Sequence, residues 1–350
     1  MALKRLGLVV HEGRPAAVTA ARAVHTWCDR HRIPCTDIDV WRQGIPRHGG
    51  KEEAEAAGHP DGIVTLGGDG TFLRGARIAA KDGAWVLGID LGRVGFLTEV
   101  PVNDVLKALD AVLRDDVSVE ERLTLTLRTS RTLEIPEGID ALLRYGRGPA
   151  LPPPTLLRED TGWGVALDVT ALNDIVLEKL ARDRQINVAV YIAGHLLASY
   201  SADAAIVATA TGSTAYSFAA GGPVLSPGVE AVVFTPVAPH MAFNRTVVAA
   251  ANEPVAARVL PHSGQVAVSI DGELRGVLDP GDWIGVYPSP CRIHLIRLGP
   301  ADFYQRLRNR FRLADAPATV SDGAASPLFA APNADVPEDL VGMRLPPPVD

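Results

Sequence analysis

A glycine-rich turn with one aspartate is the first feature of the sequence that could do chemistry. Gly67 to Gly70 spell GGDG within the stretch VTLGGDGTFLRGAR, which runs from Val64 to Arg77. Glycines between a strand and a helix allow close backbone approach, and free N–H groups at a helix start favour phosphate. Asp69 would repel phosphate unless it binds Mg²⁺ or takes a proton from an attacking hydroxyl. The turn is therefore a candidate site of phosphoryl transfer.

Basic side chains follow the turn at helical spacing. Arg74, Arg77 and Lys81 would share one face of a helix, where they could balance phosphate charge. The simpler alternative is a tight turn followed by a solvated basic face. The stretch matches neither the P-loop pattern nor GxGxxG, so other residues must decide between the two interpretations.

A second cluster of small polar residues lies in TATGSTAYSFAAGGPVL, from Thr209 to Leu225. It follows an apolar run, and five of its hydroxyl groups lie close together, on Thr211, Ser213, Thr214, Tyr216 and Ser217. Glycines permit close backbone approach, and Tyr216 adds a stacking surface. So polar a loop between apolar strands indicates ligand contact, against the alternative of an ordinary serine- and threonine-stabilised turn.

The composition favours a folded chain of two domains and argues against several classes. The 350 residues are 47% hydrophobic, which is enough to bury real cores. The net charge of −7 argues against nucleic-acid binding through a broad basic face. No run approaches the roughly 20 apolar residues of a membrane span, and the N-terminus does not read as a signal peptide. We expect a cytoplasmic protein without nucleic-acid or membrane partners.

Cysteine and histidine spacings point to no metal site. Cys28, Cys35 and Cys291 include no CxxC pair, and no HxxxH or HExxH spacing occurs. The sequence therefore supports neither a disulfide framework nor a zinc cluster, and we assign no residue as a metal ligand.

Strands and helices alternate over the first hundred residues. The predicted strands are LGLVV, TDIDV, GIVTL and AWVLGID, and the predicted helices are Pro15–Arg32, Phe72–Lys81 and, further on, Val102–Arg114. This order indicates a parallel sheet with helical crossovers. Ligands bind beyond the carboxyl ends of such strands, which is where GGDG lies.

Strand signals predominate from about Val117 onward. They are LTLTLRT, WGVALDVTALNDIVLEK, INVAVYI, HLLASY, AAIVATA, AVVFTPV, VAARVL and QVAVSIDG. Ala193–Gly194 reads as a hairpin turn, and this half is expected to be antiparallel β. A proline-rich segment that contains PALPPPT is interpreted as an exposed insertion, and the tail after Arg312 as disordered.

Together these motifs resemble the NAD kinase family. The matching stretches, in family order and approximate spacing, are LGGDGTFLRGAR, GRVGFLTEV, ERLTL, LNDIVLEK, TGSTAYS with AGGP, and TPVAPH with Arg245. The resemblance covers Leu6 to about Arg312. GGDGT alone is weakly diagnostic, because diacylglycerol-type lipid kinases and phosphofructokinases have similar loops, but GGDGT followed by ND and TGSTAYS is a strong signal.

The resemblance implies a role for particular residues. Asp69 looks like the family's proton acceptor, taking the proton of the adenosine ribose 2′-hydroxyl of NAD as that oxygen attacks the γ-phosphorus of ATP. The other implied nucleotide-contacting residues are Gly68, Gly70, Arg74, Asn173, Asp174, Arg184, Asp203, Thr214, Ala215, Tyr216, Ser217, Phe218, Ala219 and Glu273. Within this set, Asn173 and Asp174 would hold the adenosine portion of NAD. Without the other motifs, a strand-end turn would be the better interpretation of that pair.

The resemblance also implies an architecture shared with diacylglycerol kinases: an N-terminal α/β domain with a parallel sheet and a β-rich C-terminal domain. We expect residues 1–100 to form the first domain and residues 101–295 the second, with the proline-rich insertion near 131–160. Residues 296–314 would return to the first domain, and residues 315–350 would be a disordered tail. Mg²⁺ with ATP, NAD as substrate, and a homodimer or homotetramer are the implied cofactor and partners.

Departures from the family pattern keep two rival functions open. Asp90 stands where the family usually has asparagine, Ser201 where arginine is frequent, and Ala204 and Ala210 where glycine and proline are usual. One rival is a lipid kinase of the diacylglycerol type with the same GGDGT loop. The other is a catalytically weak NAD(P)-binding sensor.

Overall fold

The structure is a computed structural model that describes residues 3–11, 13–41, 50–92, 95–139, 153–157, 162–181, 184–241, 243–299 and 303–313. Met1–Arg306 form one compact unit. The α-helices of the described residues are α1 (Pro15–His31), α2 (Lys51–Ala56), α3 (Asp69–Asp82), α4 (Val105–Leu113), α5 (Tyr216–Ala219) and α6 (Phe303–Phe311). Among the described residues, no helix is both long and apolar enough to cross a membrane.

The first nine strands are β1 (Leu6–Val10), β2 (Cys35–Asp37), β3 (Gly62–Leu66), β4 (Trp85–Asp90), β5 (Val100–Pro101), β6 (Ser118–Arg122), β7 (Leu125–Thr129), β8 (Val165–Ala171) and β9 (Asp174–Lys179). The remaining strands are β10 (Ile186–Ile192), β11 (His195–Ala202), β12 (Ala204–Thr209), β13 (Ala231–Val237), β14 (Val247–Ala250), β15 (Val255–Val259), β16 (Val266–Ile270), β17 (Glu273–Leu278), β18 (Trp283–Pro288) and β19 (Ile293–Arg297).

The first sheet has seven strands in the order β2-β1-β3-β4-β19-β6, with β5 beside β4. Strands β1 to β5 pair in parallel, as predicted. Leu6 and Leu8 pack with α1 and α4, whereas Val9 packs with α2 and α3. Both faces are covered, and the continuous apolar runs LGLVV and GIVTL follow from that burial.

The rest of the unit is a sandwich of two antiparallel six-stranded sheets. Their orders are β11-β10-β15-β18-β7-β8 and β14-β13-β12-β9-β16-β17. Leu127 and Val188 of one sheet share a core with Leu177 and Phe234 of the other. The chain then leaves the sandwich through β19, which inserts between β4 and β6 and so ties the two halves together.

Several predicted elements match closely and others differ for local reasons. LGLVV and GIVTL are β1 and β3, and the hairpin at Ala193–Gly194 joins β10 to β11. TDIDV is wrong as one strand, because β2 ends at Asp37 and Asp39 accepts the N–H of Trp41 in a turn. The helix predicted from Phe72 begins at Asp69, so the aspartate belongs to its first turn.

The proline-rich segment is described only in part, because residues 140–152 and 158–161 of the predicted insertion lie outside the described residues. Thr155 and Leu157 exchange backbone hydrogen bonds with β8 at the edge of its sheet, and Leu156 is exposed. Leu133 lies within the predicted range 131–160 and is buried, so that range is not exposed throughout. The predicted disordered tail, residues 315–350, also lies outside the described residues.

Candidate active site

The carboxylate of Asp69 is held by the loop that follows β4. It accepts the backbone N–H groups of Phe96 at 3.1 Å, Leu97 at 3.1 Å and Thr98 at 3.4 Å. A Cβ on Gly95 would lie 2.0 Å from the Oδ1 atom of Asp69, so this close approach requires glycine. The result is an acidic side chain with one orientation at the start of α3, directly between two glycines of the turn.

The basic stripe on α3 is paired and its two arginines are buried, so the interpretation as a solvated face is wrong. Arg74 contacts Glu273 at 2.9 Å, and its guanidinium lies 4.5 Å above the ring of Trp41. Arg77 pairs with Glu53 at 2.9 Å and with Glu273 at 3.4 Å. Lys81, further along the helix, pairs with a carboxylate of β8. The expected surplus of positive charge is therefore partly neutralised by acidic partners on neighbouring elements.

A cleft of about 480 Å³ adjoins the glycine-rich turn. Gly68 and Gly70 line it together with Arg74 and Glu273, four of the predicted site residues. The other basic side chains in its wall are His11, Arg14, Arg77 and Arg275. The cleft thus combines a flexible-backbone turn with a concentration of positive charge, which suits an anionic ligand.

Arg275 is a cleft residue that sequence reasoning missed. It is 3% exposed, and its Nε and Nη2 atoms have no hydrogen-bond partner among the described residues. Burial lowers the pKa of this guanidinium to about 10. The signal in the sequence is an arginine at an inward position of a strand, between Leu274 and Gly276.

A second cavity of about 230 Å³ lies next to the cleft, and Asp271 and Gly272 line both. Its walls include four predicted residues, Asn173, Asp174, Ala215 and Tyr216. A Cβ on Gly212 would lie 2.0 Å from the backbone oxygen of Asn173, so the polar turn packs directly on this pair. The GGDG turn, the Asn–Asp pair and the TGSTAYS turn therefore meet around two adjoining cavities.

The remaining residues of the TGSTAYS turn divide by exposure. Tyr216 and Phe218 are 40% and 38% exposed. Ser217 is buried and hydrogen-bonds Thr235, while Thr214 donates to the backbone oxygen of Thr211. Ala219 ends α5 and is exposed. The turn therefore offers aromatic surface outward and uses its hydroxyls to keep its own shape.

Asp271 fixes the Asn–Asp pair from behind. Its carboxylate accepts the backbone N–H groups of Leu172 at 2.9 Å, Asn173 at 2.7 Å and Asp174 at 3.1 Å. Loss of hydration raises the pKa of Asp271 to about 6, although the three N–H donors act in the opposite direction. The hairpin turn at Asp271–Gly272 was predicted, but this long-range role was not.

Two predicted residues lie elsewhere. Arg184 and Asp203 line a third cavity of about 650 Å³, where Asp203 pairs with Lys179 at 2.6 Å. Among the described residues, this cavity shares no lining residue with the other two. The structure does not bring Arg184 and Asp203 to the GGDG turn within one chain.

The four departures from the family pattern are accommodated in the fold. Asp90 is 5% exposed at the end of β4. Ala204 begins β12 and Ala210 directly follows that strand, and both are buried. Ser201 donates to the side-chain oxygen of Gln185 in the third cavity. In the described part of the chain, no group of three or more His, Cys, Asp and Glu is placed to hold a metal ion.

Two family models match the chain. The ATP-NAD kinase N-terminal domain matches residues 6–117, and the ATP-NAD kinase C-terminal domain matches residues 172–298. NAD kinase 1 of Streptomyces avermitilis is 65% identical over 350 residues, which cover 99% of this chain and 98% of the relative. The chain belongs to the NAD kinase family. The predicted family is thereby confirmed.

More distant NAD kinases show the same relationship. NAD kinase 2 of Streptomyces coelicolor is 32% identical over 87% of this chain and 93% of its own length. Yeast NADH kinase complexed with NADH superposes with a TM-score of 0.70 at 20% identity, over 90% of this chain and 89% of that one. An NAD kinase from Archaeoglobus fulgidus in complex with ATP gives 0.60 at 21% identity, over 88% and 98%. The structural matches confirm the predicted two-domain fold.

Proposed function

We propose that this NAD kinase transfers the γ-phosphoryl group of ATP to the adenosine ribose 2′-hydroxyl of NAD, which gives NADP and ADP. The observation that carries the proposal is the fixed carboxylate of Asp69, which lies between two glycines that line the cleft, next to the cavity of Asn173 and Asp174. The hydroxyl oxygen forms a bond to the γ-phosphorus, and its proton passes to Asp69. The bond from the γ-phosphorus to the bridging oxygen breaks, and ADP leaves.

Asp69 serves as the general base of this reaction. An alcohol is a weak nucleophile near neutral pH, and a positioned base contributes about 10²–10⁴-fold to such a step. The three backbone donors leave the carboxylate with lone pairs for the substrate, because two oxygens offer about four acceptor sites. Most of the remaining acceleration comes from alignment and from neutralising charge on the phosphates.

The two adjoining cavities divide the substrates between them. The adenosine portion of NAD occupies the smaller cavity, where Asn173 can donate and accept, Asp174 can accept, and Tyr216 offers a ring for stacking. The phosphate chain of ATP occupies the larger cleft beside Gly68, where Arg275 has donors without a protein partner. A buried guanidinium whose donors lack hydrogen-bond acceptors is costly, and a phosphate would supply those acceptors.

Mg²⁺ is proposed to enter with ATP. Magnesium in such sites is held largely by phosphate oxygens and water, with one or two carboxylates from the protein. Glu273 does not fit this role because two arginines already hold it, and Asp69 is assigned to the proton of the hydroxyl, so phosphate oxygens and water would hold the ion. When bound, the ion would neutralise charge on the triphosphate.

We further infer a cytoplasmic homodimer or homotetramer in which a neighbouring subunit completes the site. The separate cavity of Arg184 and Asp203 supports this inference, because those residues would then serve the dinucleotide of another subunit. Analytical ultracentrifugation tests the assembly. A monomer at the concentrations that support full turnover would contradict it.

The rival functions differ in the acceptor and in turnover. Polar side chains such as Asn173, Asp174 and Ser269 line the cavity proposed for the acceptor, and such a wall disfavours the acyl chains of a lipid. The test supplies ATP and Mg²⁺ with NAD, NADH or diacylglycerol in parallel and measures phosphorylated product. NADP formation supports the proposal. Phosphatidate would support the lipid kinase, and tight NAD binding without product would support the sensor.

A further inference from the structure

The loop that holds Asp69 is itself held from the other side by two arginines. While the N–H groups of residues 96–98 point to Asp69, the guanidinium of Arg297 donates to the backbone oxygen of Leu97 at 3.5 Å. Arg306 donates to the backbone oxygen of Thr98 at 3.2 Å. The peptide group that joins Leu97 to Thr98 is thus engaged at both ends, because Arg297 donates to its oxygen and its N–H donates to Asp69, and this limits its movement.

Arg297 is the centre of a ladder of buried ion pairs. It contacts Glu99 at 2.8 Å and Glu120 at 2.8 Å, and Glu120 in turn contacts Arg122 at 2.8 Å. Arg122 donates to the hydroxyl of Thr211 at 3.2 Å. Thr211 is the residue from which the TGSTAYS turn begins, so the ladder runs from the loop behind Asp69 to the proposed adenosine site.

The arginines of the ladder are buried, and the side chains of Glu99 and Glu120 are 16% and 22% exposed. Arg297 is 3% exposed and Arg122 is 4% exposed. Burial by itself would raise the pKa of Glu120, yet its contacts with Arg122 and Arg297 hold that pKa below its usual value. Removing one member would leave an uncompensated buried charge, so each member constrains the others.

The backbone carries the ladder across the junction between the two halves. Arg297 ends β19 and Glu120 lies in β6, two strands that pair antiparallel beside β4. Asp69 and the loop that holds it belong to the half of the unit built on the first sheet, whereas Thr211 follows β12 of the sandwich. The ladder therefore joins the element that supplies the base to the element that receives the dinucleotide.

We propose that the ladder of Glu99, Arg297, Glu120 and Arg122 positions Asp69 relative to the turn that begins at Thr211. The inference rests on the proposed function, in which the ribose 2′-hydroxyl must lie within hydrogen-bond reach of Asp69. A displacement of about 1 Å at such a site can cost on the order of 100-fold in rate. Arg297 does not touch substrate; it acts as a positioning residue through the loop.

Arg297→Gln is the principal test. We expect kcat to fall by about 10- to 100-fold, because Asp69 loses its fixed orientation, while KM for NAD changes by less than about threefold. Arg297→Lys keeps the charge and should recover part of the loss. Arg131→Gln is the matched control, since Arg131 also bridges two carboxylates, Asp279 and Asp282, away from the cleft. A kcat loss no larger than in this control would overturn the proposal.

The same substitution in an Asp69→Asn background separates positioning from general stability. If Arg297 acts through Asp69, Arg297→Gln should change the residual turnover of Asp69→Asn by less than about twofold. Equal fractional losses in both backgrounds would overturn the proposal. If Arg297→Gln does not fold, Arg306→Gln removes the donor to the backbone oxygen of Thr98 together with the ion pair to Glu99 at 3.1 Å, and a several-fold loss of kcat is expected. An unmutated chain that makes no NADP would instead refute the proposed function.

Discussion

Asp69 and Asp271 are held in the same way, yet they serve different purposes. Each accepts three backbone N–H groups, Asp69 from the loop after β4 and Asp271 from the residues that lead into β9. Asp271 lines the cleft, whereas Asp69 begins α3 between two glycines that line it, and we assign Asp69 the role of proton acceptor. The hydrogen bonds to Asp271 instead fix the backbone of the Asn173–Asp174 pair. Damage to the first should lower kcat, and damage to the second should raise KM for NAD.

The orientation of the Asp69 carboxylate can be disturbed without changing the carboxyl group itself. Gly95→Ala would place a Cβ 2.0 Å from Oδ1 of Asp69, so the carboxylate must move. We expect kcat to fall by about 100-fold with KM for NAD nearly unchanged. Steady-state kinetics check this, with Gly228→Ala as control because a Cβ there meets no neighbouring atom among the described residues. An unchanged kcat would show that the orientation of Asp69 is unimportant.

The corresponding change on the other side is Asp271→Asn. An amide NH₂ would face backbone N–H donors, so the Asn173–Asp174 pair would lose its support. We expect KM for NAD to rise by about tenfold with kcat within about threefold. Asp61→Asn is a control for losing a carboxylate that accepts backbone donors, since Asp61 binds the N–H groups of Lys4 and Arg5. A fall in kcat with an unchanged KM for NAD would contradict the separate roles assigned to the two aspartates.

Arg275→Met probes the phosphate end of the cleft. We expect KM for ATP to rise by about fivefold, because a donor to phosphate is lost, and KM for NAD to stay constant. The unfolding midpoint should rise, since an unpartnered buried guanidinium destabilises the folded chain. Thermal unfolding without nucleotide and ATP titrations give the two readouts. A lower midpoint with an unchanged KM for ATP would remove Arg275 from the substrate site.

The smallest expected effect is a pH dependence of stability. The pKa of Asp271 is raised from 3.8 to about 6, so between these values the folded chain holds a proton that the unfolded chain has released. The contribution of Asp271 to stability is therefore full below about pH 3.8 and is lost as pH rises through 6. Denaturant unfolding of the unmutated chain and Asp271→Asn at several pH values measures it. A constant difference across this window would contradict the shift.

Local patterns were sufficient for the elements and for where the motifs meet. Alternation of apolar runs and amphipathic segments gave the parallel sheet, and GGDG fell at the end of β3 because glycines and a helix start are local features. The backbone donors that hold Asp69 lie 27 to 29 positions along the chain, and Arg297 pairs with Glu99 from about 200 positions away. Such pairings depend on tertiary packing. For the same reason the sequence could not show whether the basic stripe on α3 faces solvent, since its partners Glu53 and Glu273 come from distant elements.

Single-turnover NADP formation by Asp69→Asn tests the central role of this carboxylate most directly. Enzyme in excess is mixed with labelled NAD, ATP and Mg²⁺, and NAD binding is measured on the same samples. We expect the rate to fall by about 10²-fold or more, because the base is lost, with NAD affinity within about threefold and Asp61→Asn unaffected. A rate within about threefold of the unmutated chain would contradict the assignment of Asp69 as the proton acceptor.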